Sequence, residues 1–287
     1  MKFMMHSGKV IYILIVIIVL LLLLLLFFVW QNNSIAITSI SYKNEKIPDE
    51  FNGYTIVHIS DLHNKKFGKD GKQLIDKIKE ASPDIIVITG DLVDRRKLDM
   101  DAAIGFIIEA LNIAPVYYVS GNHETLSDKY EDIKGRLLFM GVYVLDNDSI
   151  KITKNEESIT LIGLRDPAFR TLEGKAATNI SKLEKNLKNL YDDKSFTILL
   201  SHRPELFDIY VGNNIDLVFT GHAHGGQIRL PFIGGLIAPN QGIFPKYTTA
   251  DYTEDDTTMI VSRGLGNSEF PLRVFNRPEI VKVTLGN

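Results

Sequence analysis

The chain has 287 residues, with 32 Lys and Arg against 35 Asp and Glu, so its net charge of −3 offers no basic face for gripping nucleic acid. It contains no cysteine, which excludes disulfides, zinc–thiolate sites, thiol catalysis and lipidated cysteine. Any metal must be held by His, Asp, Glu or Asn, a donor set suited to divalent ions with mixed nitrogen and oxygen ligands.

The first element is Val10 to Trp30, an unbroken run of 21 apolar residues rich in Leu and Ile. At roughly 1.5 Å per residue it spans about 30 Å, the thickness of a bilayer's hydrocarbon core. A cleaved signal peptide is the competing reading, with Ser34-Ile35-Ala36 as a loose cleavage site. The run exceeds the roughly 7–15 residues of a signal's apolar region, so a retained transmembrane anchor is expected. Lys2 and Lys9 precede it and no Lys or Arg follows before Lys43. That asymmetry puts the N-terminus in the cytoplasm and the bulk of a single-pass membrane protein on the extracytoplasmic side. Residues 1–9 are then a short cytoplasmic tail, 10–30 the anchor, 31–50 a juxtamembrane segment with a lead-in strand, and 51–287 one domain.

Within that domain, apolar runs predict buried strands at Tyr54–Ile59, Asp84–Thr89, Val116–Val119, Ile159–Gly163, Phe196–Leu200, Leu217–Thr220, Thr258–Val261 and Ile280–Leu285. Helical spacing lies between them, in three stripes: Leu74, Ile75 and Ile78; Ile104, Ile107, Ile108 and Leu111; Leu183, Leu187 and Leu190. Strands alternating with helices on this scale imply an α/β fold with helices packed over buried sheet.

Polar segments follow the strands: Asp61-Leu62-His63, Gly90-Asp91, Gly121-Asn122-His123-Glu124, Ser201-His202 and Gly221-His222-Ala223-His224. Each alone has an ordinary explanation as a turn, a helix cap or a surface histidine. Together they hold every histidine except His6 and His58, and the carboxyl ends of strands are where open α/β sheets bind ligands. Two divalent ions about 3.5–4 Å apart need several neutral imidazoles, at least two carboxylates and one shared group. Asp61, His63, Asp91, Asn122, His202, His222 and His224 offer that set, and its oxygen and imidazole donors suit Mn²⁺, Fe or Zn²⁺ better than Ca²⁺ or Mg²⁺. Two adjacent cations would lower the pKa of a shared water from about 15.7 toward neutrality and supply hydroxide as nucleophile. His123 adjoins Asn122 without being spent on metal, where it can donate a proton to a departing oxygen.

In this order the segments resemble the calcineurin-like metallophosphoesterases, whose pattern runs Asp-x-His, Gly-Asp, Gly-Asn-His-Glu or Asp, a lone His, then Gly-His-x-His. The resemblance extends from about Tyr54 to the C-terminus. It implies a four-layer αββα sandwich of two mixed sheets flanked by helices. It also implies that Asp61, His63 and His224 hold one ion, that Asn122, His202 and His222 hold the other, and that Asp91 bridges both. His123 would be the general acid, oriented by Asp94 or Glu124. The segments GHAHGGQIRLPF and SRGLGNSEFPLRVFNRPEIVKVTL look like the bacterial branch that carries an N-terminal anchor or export signal, some of whose members act on lipid-linked or nucleotide-sugar phosphates.

Arg95 and Arg263 are candidates for phosphate oxygens, against a structural ion pair for each; Asn267 and Arg273 are weaker. The lysines at 65, 66, 69, 72, 77 and 79 read as a solvated helix face, with contact to anionic headgroups as the alternative. Residues 229–247 are rich in Pro, Gly and large apolar side chains, among them Phe232 and Phe244, and leave directly from the Gly-His-x-His loop. A packed loop is the ordinary account, and an apolar rim facing the bilayer is the alternative. Three functions compete: a phosphodiesterase or pyrophosphatase, a phosphomonoesterase on the same site, and an inactive metal-binding scaffold, which would be expected to lack a ligand.

Overall fold

A computed structural model of the chain describes residues 2–167, 173–267 and 270–287. The elements begin with α1 (Lys2–Asn33), β1 (Ala36–Lys43), β2 (Thr55–Ile59), α2 (Lys72–Ala81), β3 (Ile85–Thr89), α3 (Met100–Leu111), β4 (Val116–Val119), α4 (Asn122–Thr125), α5 (Tyr130–Phe139) and β5 (Tyr143–Val144). They continue with β6 (Asp148–Lys154), β7 (Glu157–Gly163), α6 (Glu173–Leu190), β8 (Thr197–Leu200), α7 (Phe207–Val211) and β9 (Leu217–Thr220). Two short hairpins follow, β10–β11 (Arg229–Leu230 with Gly234–Gly235) and β12–β13 (Ile237–Ala238 with Gly242–Ile243). The last strands are β14 (Ala250–Glu254), β15 (Thr257–Val261) and β16 (Glu279–Gly286).

The central strands are apolar throughout because both their faces are covered. In β3, Ile86 and Ile88 enter one apolar layer while Ile85 and Val87 enter another, the alternation that a period of two demands. One six-stranded sheet has the order β1-β16-β2-β3-β4-β5, and a second has the order β14-β15-β9-β8-β7-β6. Strands β2 to β5 run parallel, as do β15, β9, β8 and β7, with antiparallel pairs at β16–β2, β14–β15 and β6–β7. Both sheets are therefore mixed. One apolar layer joins the first sheet to α2, α3 and α5; a second lies between the sheets; a third joins the other sheet to α6 and α7. Three cores between four layers make the expected sandwich.

Three differences from the sequence reading have physical causes. Strands β6 and β14 occupy the edges of the second sheet, where half-exposed residues mix charge with β-branched side chains and leave no apolar run to detect. In α3 the buried face is Ala103, Phe106, Ile107 and Ala110, whereas Ile108 is exposed; small residues let the helix approach the sheet, so the apolar stripe drawn through Ile104 and Ile108 is offset. Lys65 is not on a solvated helix face. It donates to the carbonyl of Asn32 at the end of α1, and burial, with Arg273 nearby, pulls its pKa down to about 7.

Helix α1 is built into the domain at its last turn. Gln31 and Asn32 are buried. Asn32 Oδ1 accepts from the Arg273 amide at 2.9 Å, and Gln31 Oε1 accepts from the Asn276 amide at 3.3 Å. The Arg277 guanidinium stacks over the Trp30 ring at 5.0 Å and donates to the Ser34 carbonyl at 3.1 Å. An 18-residue stretch within Gly8–Asn33 has a mean hydropathy of 3.7, and before this joint the helix is exposed except for half-buried Phe27 and Phe28, as a helix surrounded by lipid would be.

Candidate metal centre

Every polar segment singled out above sits where a parallel strand ends. Asp61 and His63 follow β2, Asp91 follows β3, Asn122 and His123 follow β4, His202 follows β8, and His222 and His224 follow β9. Because β2, β3 and β4 are parallel in one sheet and β8 and β9 in the other, these ends lie on one rim of the sandwich. The chain bends sharply to bring them inward. Asp61, His63, Asp91, His222 and His224 have φ of 52°, 47°, 51°, 64° and 47°, left-handed values that cost roughly 1 kcal/mol or more each and gather where function demands them. Two glycines allow the close approach. A Cβ on Gly121 would strike the Asp91 carboxylate, and one on Gly221 would strike Ser60 and the Asp61 carboxylate.

The side chains form three groups, two of which share Asp91, while the third joins Asp94 and His123 to His63. Asp61, His63, Asp91 and His224 present ligand atoms within 4.8 Å of one another, as do Asp91, His202 and His222. In the first, His63 Nε2 lies 3.3 Å from His224 Nε2 and 3.6 Å from Asp91 Oδ2, and His224 Nε2 lies 3.4 Å from Asp61 Oδ1. In the second, His202 Nε2 lies 3.4 Å from Asp91 Oδ2 and 3.2 Å from Asn122 Oδ1. All of these residues except Asn122 and Asp94 are fully or nearly buried.

The donor chemistry fits divalent cations. Burial holds His63, at about 3, and likewise His222 and His224, far below the usual imidazole range, so their rings are neutral and offer lone pairs. Two ring nitrogens 3.3 Å apart have the spacing that bonds of about 2.0–2.1 Å to one tetrahedral ion produce. Asp61 is raised to about 6, by burial and by the neighbouring Asp91 charge against the pull of His202, so this carboxylate gains from a cation. His202 Nδ1–H donates to the Thr89 carbonyl at 2.7 Å, which leaves Nε2 facing Asp91. Burial opposes charge on His202, yet the Asp91 carboxylate lifts its pKa to about 10; the proton held there occupies the place a metal ion would take.

Residues behind the ligands fix them. Glu124 accepts from the amides of Asp91 (2.9 Å), Val93 (3.0 Å) and Gly121 (2.8 Å), tying the loop after β3 to the loop after β4. Glutamine at 124 has one acceptor oxygen for three donors, so Glu124→Gln should weaken metal binding roughly 10- to 100-fold, read by metal titration; unchanged affinity would show that Glu124 does not hold these loops. His123 Nδ1 stands 3.2 Å from the Arg95 amide and 3.3 Å from Asp94 Oδ1, while Asp94 is also bound to Arg96. Arg95 lines the cleft. Arg263 does not: its guanidinium and amide both bind Glu279, at 2.7 and 3.0 Å, so the structural ion pair is the reading that fits. Arg273 is buried beneath the loop, with Nη2 3.5 Å from His224 Nδ1, and Asn267 bonds the Pro271 carbonyl.

The sequence reading missed a buttress behind His222. Arg203 is buried in a two-pronged pair with Asp166, at 2.5 and 3.1 Å. Its Nη1 donates to Asn240 Oδ1 at 2.8 Å, and the same oxygen lies 3.0 Å from His222 Nε2. Arg203 Nη1 also stands 3.2 Å from His222 Nε2, so both partners engage Nε2 and leave Nδ1 as the nitrogen free for a ligand role. Arg203 directly follows His202, so adjacency was the available signal.

Of the candidate ligands, Asp91, Asn122, His222 and His224 line a cleft of about 680 Å³, together with Arg95, Arg203, Gln227, Ile237 and Phe270. This centre on the rim of a two-sheet sandwich defines a metallophosphoesterase, and the chain belongs to the calcineurin-like phosphoesterase family, whose sequence pattern matches residues 54–226. It is a phosphoric ester hydrolase, and divalent metal belongs to that family's chemistry. Among its relatives, the metallophosphoesterase YkuE of Bacillus subtilis (strain 168) is 32% identical over 256 residues, 88% of this chain and 85% of that one. UDP-2,3-diacylglucosamine pyrophosphatase LpxG of Chlamydia trachomatis serovar D is 29% identical, with 88% and 91% covered. A transmembrane protein with metallophosphoesterase domain from Danio rerio is 28% identical, with 84% and 55% covered.

Proposed function

We propose that the chain hydrolyses a phosphodiester or pyrophosphate bond in a phosphorylated substrate bearing a lipid or nucleotide-sugar group, as a single-pass protein whose catalytic domain lies outside the cell membrane. The observation that carries this reading is the sharing of Asp91 between two groups of buried ligands. Asp61, His63 and His224 would complete one cation site, and Asn122, His202 and His222 the other. Bound there, two divalent ions, Mn²⁺, Fe or Zn²⁺ by the donor set, would acidify a water between them and neutralise phosphoryl oxygens. Arg95 on the cleft wall offers a guanidinium to the remaining oxygens. His123 faces the departing group. No ligand of the set is missing, which argues against an inactive scaffold. A lipid-bearing substrate is supported by the apolar Ile237 and Phe270 on the cleft wall and by the relative named for a diacylglucosamine substrate.

The test uses full-length protein in lipid nanodiscs, stripped of metal with a chelator and assayed with bis-p-nitrophenyl and p-nitrophenyl phosphate. Diester cleavage should vanish on chelation and return with Mn²⁺. A cation at about 100 times its Kd should add ~2.7 kcal/mol of stability and raise the Tm by several degrees. Monoester cleavage alone would replace the reading with a phosphomonoesterase. Turnover of neither ester under any of the three metals would reject it.

A further inference from the structure

The anchor and the active-site rim share one apolar surface. Phe27, three residues inside Trp30, packs edge-on against Phe275 with ring centroids 5.6 Å apart. If Val10–Trp30 fills the hydrocarbon layer, Phe27 lies about 4.5 Å below its outer edge, and Phe275 is carried to the same depth. The surface runs on from there through backbone contacts. Val274 accepts from the Arg229 amide at 2.9 Å and bridges Ile228, so hairpin β10–β11 hangs from the segment that touches the anchor. The Leu236 amide donates to Ile228, and the Phe244 amide to Leu236, each at 2.9 Å, which sets β12–β13 alongside. The hairpins and the 270–275 segment expose Phe232, Ile233, Ile243, Phe244, Phe270 and Phe275 together. Phe232 and Phe244 hold φ of 68° and 54°, left-handed values unusual for bulky residues, while their rings are turned outward.

An exposed apolar patch of this extent on a soluble face would invite association, but here it is continuous with a helix suited to lipid. We propose that these hairpins and the 270–275 segment dip into the headgroup layer of the bilayer that α1 crosses, holding the mouth of the cleft at that level. Ile237 and Phe270 belong to both the cleft wall and the exposed patch. A substrate with acyl chains then reaches the ligand cluster sideways from the membrane, with its chains against the hairpins and its phosphate over Asp91. This inference rests on the anchoring part of the proposed function and not on the chemistry.

The experiment places a single tryptophan reporter in the full chain, whose one native tryptophan is Trp30. In nanodiscs containing lipids brominated high on the acyl chain, wild-type Trp30 reports whether α1 is in the bilayer. In a Trp30→Phe background, Phe232→Trp and Phe244→Trp should each emit at blue-shifted wavelengths and lose most of that emission to the brominated lipid. Phe139→Trp is the control: Phe139 is exposed at the end of α5, beside β5, at the edge of the first sheet opposite β1. It should emit as a water-exposed residue and stay unquenched. Quenching of Trp30 without quenching at 232 and 244 would overturn the rim while leaving the anchor and the hydrolase reading intact. Equal quenching at 139 would also overturn it, since contact would then not be specific to this face. Both rim positions are exposed, so loss of folding is not the expected result of either substitution; a circular dichroism melt matching wild type checks this.

Discussion

Asp91→Asn is expected to lower kcat/KM by at least ~10³-fold, about 4 kcal/mol of transition-state stabilisation, and to strip metal from both sites at once. The geometry leaves the amide no good orientation. Asp91 Oδ1 accepts from the His123 amide at 2.8 Å, and Oδ2 faces His63 at 3.6 Å and His202 at 3.4 Å. An asparagine that keeps its oxygen on the His123 amide turns its NH₂ toward two imidazoles and any cations between them. Flipped, it sets NH₂ against N–H. The charge matters as much as the shape: burial alone would raise the Asp91 pKa, but the His202 charge and hydrogen bond, with His63, carry it well below the carboxylate range. Without that anion His202 loses the partner that raises its pKa, and the group Asp61, His63 and His224 is left with one carboxylate. Metal content by elemental analysis and turnover of a diester should fall together while the melt stays cooperative. Metal-dependent turnover within tenfold of wild type would remove Asp91 from the bridging position.

What the sequence made legible, and what it did not, follows from where each interaction reaches. Central strands such as Ile85–Thr89 are buried on both faces, so an apolar run announces them without reference to neighbours. The edge strands β6 and β14 face water on one side, and their residues do not differ from those of a loop. The polar segments stood out because each follows a buried strand, and the structure brings them to one rim. The supports behind them were not legible, because they join residues distant in the chain. Arg203 reaches Asp166 and Asn240, each 37 positions away, and nothing in the spacing of these residues points to the others. Asn32, two residues beyond the run read as a membrane anchor, meets the Arg273 amide across 241 positions. A neighbouring contact gives α1 a second task. Asn276, whose amide is bonded by Gln31, donates its side chain to the carbonyl of His224 at 2.7 Å, so the end of the anchor steadies the loop that carries a candidate ligand.

Removal of the imidazole at position 123 should separate chemistry from binding. His123→Ala is expected to lower kcat by roughly 10²- to 10⁴-fold while the bound metal and KM change little, because the ring touches a candidate ligand only by edge-on packing against His63, with centroids 4.5 Å apart. The ring is placed for proton donation in either protonation state. Its Nδ1 lies between a donor, the Arg95 amide at 3.2 Å, and an acceptor, Asp94 Oδ1 at 3.3 Å. Burial lowers its pKa, against the pull of Asp91 and Asp94, so the free ring is neutral and accepts from Arg95 with its proton on Nε2. An arriving phosphate adds negative charge that favours the imidazolium, and Asp94 then takes the Nδ1 proton as a hydrogen-bond partner. The departing oxygen's own basicity supplies the decisive comparison. A p-nitrophenolate leaves readily without a proton, whereas an alkoxide does not, so His123→Ala should cost far less with the first leaving group than with the second. An equal loss for both would mean that His123 does not protonate the leaving oxygen and acts only by orienting the substrate; a loss of bound metal would instead make it a ligand.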